Sequence, residues 1–443
     1  MPCKRVLYGE KCHGQGGRAI NHQPRTHRPR RSDPERDRDL EPIAQRARKQ
    51  TRPHIFLFFR FFFHKTLSTN RTMTRINNHL LTFLSILQLC VAFSHRASII
   101  TGGNGYVARE VIHELLKQQT SSNNNNNGGS GVEEKQSIYC LVRPSRIESE
   151  TQYWRQKSNC ITILPYDMLD GGETIRNALN TVYGGENVVQ ACCVYHIASV
   201  FGPSEDHVQT ANDNVKGTED LVHAVAEYSG CRLVVTSSMA AVRGTGQEPL
   251  NGKYYTSKDW NDVSELGANW GASYQWSKAE SERRAWDIAK KHDIPMSSIC
   301  PSFVFGPPSD GKVSNSYSIT LVGQWVHGQS PVQSRLCVDV RDCAKCIVMA
   351  GLKEDAIGQR FIVSKEARVP SQDMAEALKK SLTETGIGNA DDISYDSQFQ
   401  GGAIPIGSRE VEAEDQLQKC LGVTLRPVQE TISDMGRALL QLA

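Results

Sequence analysis

Tyr274 and Lys278 stand four residues apart in the run SYQWSKAE, residues 273–280, with nothing between them that would break a helix. At positions i and i+4 of a helix their polar tips share one face, about a turn apart, and can converge on one point. A phenol at that point can exchange a proton with a carbonyl oxygen. A neighbouring ammonium would lower the phenol pKa from ~10 toward neutrality, which a weak base needs at neutral pH. A hydroxyl that holds the same oxygen would complete the set, and Ser238 offers one in Thr236-Ser237-Ser238, with Ser237 as its rival. On a solvated helix, a Tyr and a Lys at this spacing do nothing, so the rest of the chain has to supply the crevice.

The elements for a crevice are present. From Ala97 onward, short β-rich runs alternate with helical patterns. Ser98–Ile100, Ser137–Val142, Ile161–Leu164, Cys193–Ile197, Arg232–Thr236 and Met296–Ile299 read as strands. Helices are expected from the turn at Thr101–Arg109 to about Lys117, from about Val215 to Tyr228, and from the Tyr274 region to about His292. Residues 120–135, TSSNNNNNGGSGVEEK, read as a polar loop. Beyond Gly306-Pro307 the order loosens, with helices near 342–352, 372–385 and 428–440 and a strand at Arg360–Val363. The expected fold class is α/β: a Rossmann-type doubly wound parallel sheet over 96–308, with a smaller, mainly substrate-binding region over 309–443. Such sheets bind ligands at the carboxyl ends of their strands, and the Ser238 and Tyr274 motifs fall there.

The first strand runs into Thr101-Gly102-Gly103-Asn104-Gly105-Tyr106-Val107-Ala108. Glycines at 103 and 105 with Ala108 permit a tight turn, close backbone approach to a pyrophosphate and close helix packing, with the phosphates on the helix N-terminus. After the second strand, where an NAD enzyme usually carries a carboxylate for the ribose, the chain has Arg143-Pro144-Ser145-Arg146. Arginine there suits a 2′-phosphate, so NADP is the expected cofactor, with NAD the alternative. Asp167 after the third strand is placed to accept from an adenine amino group, or to cap a turn.

These motifs, with Leu141-Val142-Arg143, Val235-Thr236-Ser237-Ser238, Lys258-Asp259-Trp260 and Tyr274-x-x-Ser277-Lys278 continuing to Glu282 and Ala285-Trp286, resemble the extended short-chain dehydrogenase/reductases. The branch of dihydroflavonol, cinnamoyl-CoA and yeast-type carbonyl reductases is most similar. The resemblance implies that Ser238, Tyr274 and Lys278 are catalytic and that hydride comes from NADPH. It further implies that Met168, Ile197, Ala198, Ser199, Pro301 and Val304 join Gly102–Val107, Arg143, Arg146, Asp167, Tyr274 and Lys278 around the cofactor. The partner would be a small-molecule carbonyl compound, the pocket being built largely from the C-terminal part. The residues after His196–Val200 do not match the plant enzymes, so flavonoid and phenylpropanoid substrates do not follow. A 3β-hydroxysteroid dehydrogenase or a sugar-nucleotide epimerase/dehydratase is the rival on the same fold. A dinucleotide-sensing scaffold is the non-enzyme rival, against which the intact Ser/Tyr/Lys set argues.

Composition limits the rest. The net charge of +3 takes its sign from Arg clusters in residues 1–53, within a basic extension over 1–72, and the remainder is slightly acidic, so nucleic-acid binding is not expected of the body. Ile55–His64 is too short to span a bilayer, which needs ~20 apolar residues. Residues 73–95 carry a basic start, the apolar run Leu80–Phe93 and small residues near its end, the parts of a secretory signal. If Met73 is the start, the chain is expected to enter the ER, with a plastid as a further destination; otherwise a cytoplasmic location is expected. The 13 cysteines show no framework spacing, and the Cys343/Cys346 pair lacks a second pair, so zinc is not expected.

Overall fold

The computed structural model describes residues 96–124, 137–184, 191–309, 316–399 and 402–442. The basic segment 1–72 and the candidate signal at 73–95 lie outside the described residues, as does the Asn-rich run from 125 onward. The strands are β1 (Arg96–Thr101), β2 (Ser137–Val142), β3 (Ile161–Pro165), β4 (Ala191–His196), β5 (Cys231–Thr236), β6 (Met296–Pro301), β7 (Phe303–Phe305), β8 (Cys337–Asp339) and β9 (Arg360–Val363). Helices α1 (Tyr106–Asn124), α2 (Ile147–Arg155), α3 (Glu173–Tyr183), α4 (His207–Ala226) and α5 (Trp270–Lys291) precede β6. Helices α6 (Tyr317–Val326), α7 (Val340–Leu352), α8 (Ser371–Thr385) and α9 (Val428–Leu442) follow it.

Seven strands form one parallel sheet in the order β3-β2-β1-β4-β5-β6-β9. The chain reverses direction across the sheet between β1 and β4, which opens a crevice at the carboxyl ends of those strands. β1 reads Ala-Ser-Ile-Ile and β6 is buried along its whole length, as a strand covered on both faces must be. On one face, Val111, Ile112 and Leu115 of α1 pack with Cys343, Ile347 and Val348 of α7. On the other, Ile175 and Leu179 of α3 pack with Leu221, Val225 and Ala285 of α4 and α5. A separate core joins α6, α8 and α9 around Trp325, Leu378 and Ile432. The seventh strand, β9, comes from beyond residue 309, so this segment completes the sheet as well as forming a body of its own.

Several boundaries differ from the sequence reading. Helix α1 runs through Asn124 instead of ending near Lys117, because a nucleated helix gains a hydrogen bond per added residue and no Gly or Pro intervenes before Gly128. Helix α4 begins at His207 rather than Val215, started by Asp206, whose side chain accepts from Gln209 N at 2.9 Å. The parallel pair β7–β8 and helices α2, α3 and α6 were not expected from the periodicity. Cys343 and Cys346 are buried in the core on α7. Among the described residues no helix is long and apolar enough to cross a membrane.

Candidate active site

A continuous crevice of about 1530 Å³ runs over the carboxyl ends of the strands. Single small-molecule sites are usually ~300–1,000 Å³, so it has room for more than one ligand. One half is the β1–α1 turn. Gly102 takes the left-handed backbone region (φ +67°), and a Cβ there would meet Ala198 Cα at 3.1 Å. Gly103 packs so close to β2 that a Cβ would sit 2.2 Å from Cys140 Sγ. The left-handed turn thus belongs to Gly102, and Gly103 serves the packing of α1 on the sheet. That corrects the assignment of the turn to Gly103 and Gly105. Thr101 Oγ1 accepts from Ile197 N at 3.0 Å and Ala198 N at 3.1 Å, pinning the end of β4 beside the turn. Tyr106 opens α1, and its hydroxyl donates to Gly306 O at 2.7 Å, tying the turn to the segment after β7.

The expected cofactor residues converge here. Gly102, Asn104, Gly105, Tyr106, Val107, Arg143, Arg146, Asp167, Met168, Ile197, Ala198, Ser199, Pro301 and Val304 all line the crevice. Gly103 alone of the expected set does not line it, consistent with its packing role. Arg143 and Arg146 are exposed and, among the described residues, pair with no carboxylate. Asp167 Oδ1 accepts from Leu169 N at 2.9 Å, which makes it a turn cap that also borders the crevice. Gly217 of α4 lets Met168 approach, since a Cβ there would lie 2.1 Å from Met168 Cγ. The fit to a dinucleotide rests on three observations: the side-chain-free cradle at Gly102 and Gly105, the open first turn of α1, and the buried hydroxyls of Thr236 and Ser302 that line the crevice without partners.

The other half is built by β5 and α5. Asn269 caps α5 by accepting from Ala272 N at 2.9 Å, and the helix then carries Tyr274, Lys278 and Glu282 along one face. Ser238 begins the short helix after β5, with its hydroxyl accepting from Ala240 N at 3.1 Å. Ser238 also faces the Tyr274 phenol, whereas the buried Ser237 donates to Glu282 Oε2 at 2.7 Å. The two neighbouring hydroxyls are thereby separated, one toward the phenol and one into the core. Lys278 is buried and donates to Thr236 O at 2.9 Å.

The electrostatics differ from the sequence expectation. The Tyr274 phenol is pushed up to about 12, chiefly by burial, with the neighbouring Ser238 hydroxyl pulling the other way. Lys278 does not acidify it here. Its own ammonium is lowered to about 8 by burial, against the opposing pull of Glu282. His196, hydrogen-bonded to Thr101 and Thr218, is held near 3 by burial with the Lys278 charge acting in the same direction, so it is neutral.

Beneath Lys278 lies a hub that the sequence reading did not find. Glu282 is fully buried and accepts from Arg360 Nε at 2.8 Å, from Ser298 Oγ at 2.6 Å and from Ser237. These partners hold its carboxyl below the usual range despite burial. Arg360 also donates to the carbonyls of Asp259 and Ala241 and lies over the Trp260 ring at 3.9 Å. Arg360 follows α5 by some 70 positions, so no local spacing announces the pair.

The sequence pattern of the NAD dependent epimerase/dehydratase family matches residues 98–363. An NADPH-dependent methylglyoxal reductase of Saccharomyces cerevisiae is 28% identical over 258 residues, 51% of this chain and 69% of that protein. A cinnamoyl-CoA reductase of Medicago truncatula is 25% identical over 262 residues, 57% of this chain and 75% of its own. The crystal structure of the yeast methylglyoxal/isovaleraldehyde reductase complexed with NADPH superposes with a TM-score of 0.63 at 22% identity, covering 78% of this chain and 98% of that one. A seven-stranded parallel sheet with a glycine-turned first βα unit, a family pattern across most of its length and relatives that are nicotinamide-dependent reductases lead to one statement: this chain belongs to the NAD dependent epimerase/dehydratase family and is an NAD(P)-dependent oxidoreductase.

Proposed function

We propose that the protein reduces a ketone or aldehyde to an alcohol with NADPH. The observation that carries this reading is the junction of Ser238, Tyr274 and Lys278 in the crevice that the glycine turn enters. A bound nicotinamide would supply hydride to the carbonyl carbon. Ser238 Oγ–H and Tyr274 Oη–H hydrogen-bond the carbonyl oxygen, and the phenol proton passes to that oxygen as the alkoxide forms. A phenol held near 12 keeps its proton at neutral pH, which suits the donor role in reduction. Lys278, anchored on the Thr236 carbonyl, would hold the nicotinamide ribose. Arg143 and Arg146 would pair the 2′-phosphate and so favour NADP over NAD.

The test is NADPH oxidation over a panel of aldehydes and ketones, with Tyr274→Phe as the diagnostic variant. Turnover should fall about a thousandfold, with NADPH affinity within about threefold of the parent. A variant as fast as its parent would remove Tyr274 from the chemistry. Cofactor that copurifies and is not exchanged would favour the epimerase alternative, whose nicotinamide is regenerated within each turnover. We also propose residues 73–95 as a removable targeting segment. N-terminal sequencing of the mature protein and its fractionation from cells test that placement.

A further inference from the structure

We propose that the substrate is an anion: a carbonyl compound carrying a carboxylate or phosphate, separated from the carbonyl by an apolar spacer, with its charged end held by Arg335 beside Arg243 and Arg368. The inference rests on the reductase reading and narrows its substrate. All three arginines line the crevice. Arg368 is 3% exposed and makes a two-pronged pair with Glu410, Nε to Oε2 at 3.1 Å and Nη2 to Oε1 at 3.0 Å. Arg243 Nη2 reaches the same Glu410 Oε1 at 3.0 Å. One buried carboxylate therefore serves two guanidinium groups.

Arg335 has no carboxylate among the described residues. It is 8% exposed, donates to Ser334 O and to Gln333 Oε1, and lies between the Phe303 ring at 5.2 Å and the Phe399 ring at 4.6 Å. Its Nε–H is buried without an acceptor, as is that of Arg243. Burial works chiefly against the Arg335 cation, with Tyr317 acting the other way and the nearby Arg368 charge adding to the burial. A buried cation without a counter-ion is costly and stays charged, because guanidinium gives up its proton reluctantly. Two guanidinium groups sharing one buried carboxylate, a third with none, and two N–H groups without acceptors have the composition of an oxyanion site.

The spacer follows from what lies between. Tyr274 touches Phe201 with ring centroids 4.5 Å apart, Phe201 meets Tyr317 at 5.3 Å, and Tyr317 meets Phe303 at 6.4 Å. Phe303 is the ring beneath Arg335. An aromatic wall thus joins the phenol to the unpaired guanidinium. A ligand reacting at one end and bound by charge at the other has an apolar middle.

The experiment measures kcat/KM for a series of aldehyde carboxylates of increasing spacer length, their methyl esters, and phosphate-bearing aldehydes of matched length, in parent and Arg335→Met. The parent should favour an anion over its uncharged counterpart by about tenfold or more at the best length. In Arg335→Met that ratio should fall to within about twofold, with Arg335→Lys between them because it keeps the charge without the fork. Which anion leads, carboxylate or phosphate, identifies the group bound. Esters equal to acids at every length overturn the anion site and leave the reductase intact. Absence of turnover on every compound overturns both. The ratio in the parent needs no variant, so a misfolded Arg335→Met does not shield the proposal, and within one preparation the ratio is insensitive to the fraction folded.

Discussion

Arginines gather on opposite halves of the crevice, and their surroundings differ. Arg143 and Arg146 follow β2, are exposed, and meet no carboxylate among the described residues. Arg335 and Arg368 belong to the segment after β7, are buried, and are enclosed by aromatic rings and by Glu410. An exposed cation stays hydrated and loses little by waiting for a ligand. A buried one needs a partner built into the fold or a ligand that supplies it. The exposed pair suits a large, highly charged ligand met at the surface, and the buried group suits a smaller one that is stripped of water on entry.

The largest effect should come from removing the carboxylate that the buried group shares. Glu410→Gln leaves Arg243 and Arg368 without a counter-ion and should lower stability by roughly 3 kcal/mol in chemical denaturation, whereas Arg143→Ala should leave it unchanged. Equal effects at the two positions would erase the distinction. Arg143→Ala should act on binding instead, lowering the preference for NADP over NAD by about tenfold or more in titrations of both nucleotides. An unchanged preference would withdraw Arg143 from the 2′-phosphate.

Lys278 extends the contrast to a third buried cation. Burial lowers its pKa to about 8 from an ordinary 10.5. Between those values the unfolded chain binds more protons than the folded one, so this group's contribution to stability rises with pH across that window. Below it, the buried ammonium is a standing penalty. Lys278→Met should therefore raise the Tm of the unliganded protein at pH 7 by ~3 °C, with less gain near pH 10.5. A gain independent of pH would assign it to packing. The smallest effect separates the halves by salt. Shortening the Debye length from ~10 Å at 0.1 M to ~3 Å at 1 M should weaken NADP binding several-fold. The anion preference at Arg335 should change less, because that guanidinium is buried. An equal loss would mean that both groups are solvated.

Much of this was legible before any coordinates. The strands announced themselves because a parallel sheet covered on both faces favours short runs rich in apolar and β-branched residues, and β2, β4 and the Leu233–Val235 stretch of β5 carry them, while β1 and β6 keep buried serines among theirs. The glycine turn and the Tyr274/Lys278 spacing were readable because each is local. Strands β7 and β8, three residues each, are too short for a periodic signal. The direction of the Tyr274 shift was misread because spacing reports a neighbouring charge and does not report burial, which is the larger influence here.

The sequence alone determined the α/β alternation, the glycine turn at 102–105, arginines where an NAD enzyme carries a carboxylate, and a phenol one helical turn from an ammonium. Each depends on residues within a few positions of one another, and local geometry suffices to interpret them. Only the tertiary structure decided that Ser238 faces the phenol while Ser237 serves Glu282, that Glu282 finds Arg360, and that Arg335 is left without a carboxylate among the described residues. Those are questions of which side chains meet in a dry interior, and partners brought together there can lie anywhere along the chain.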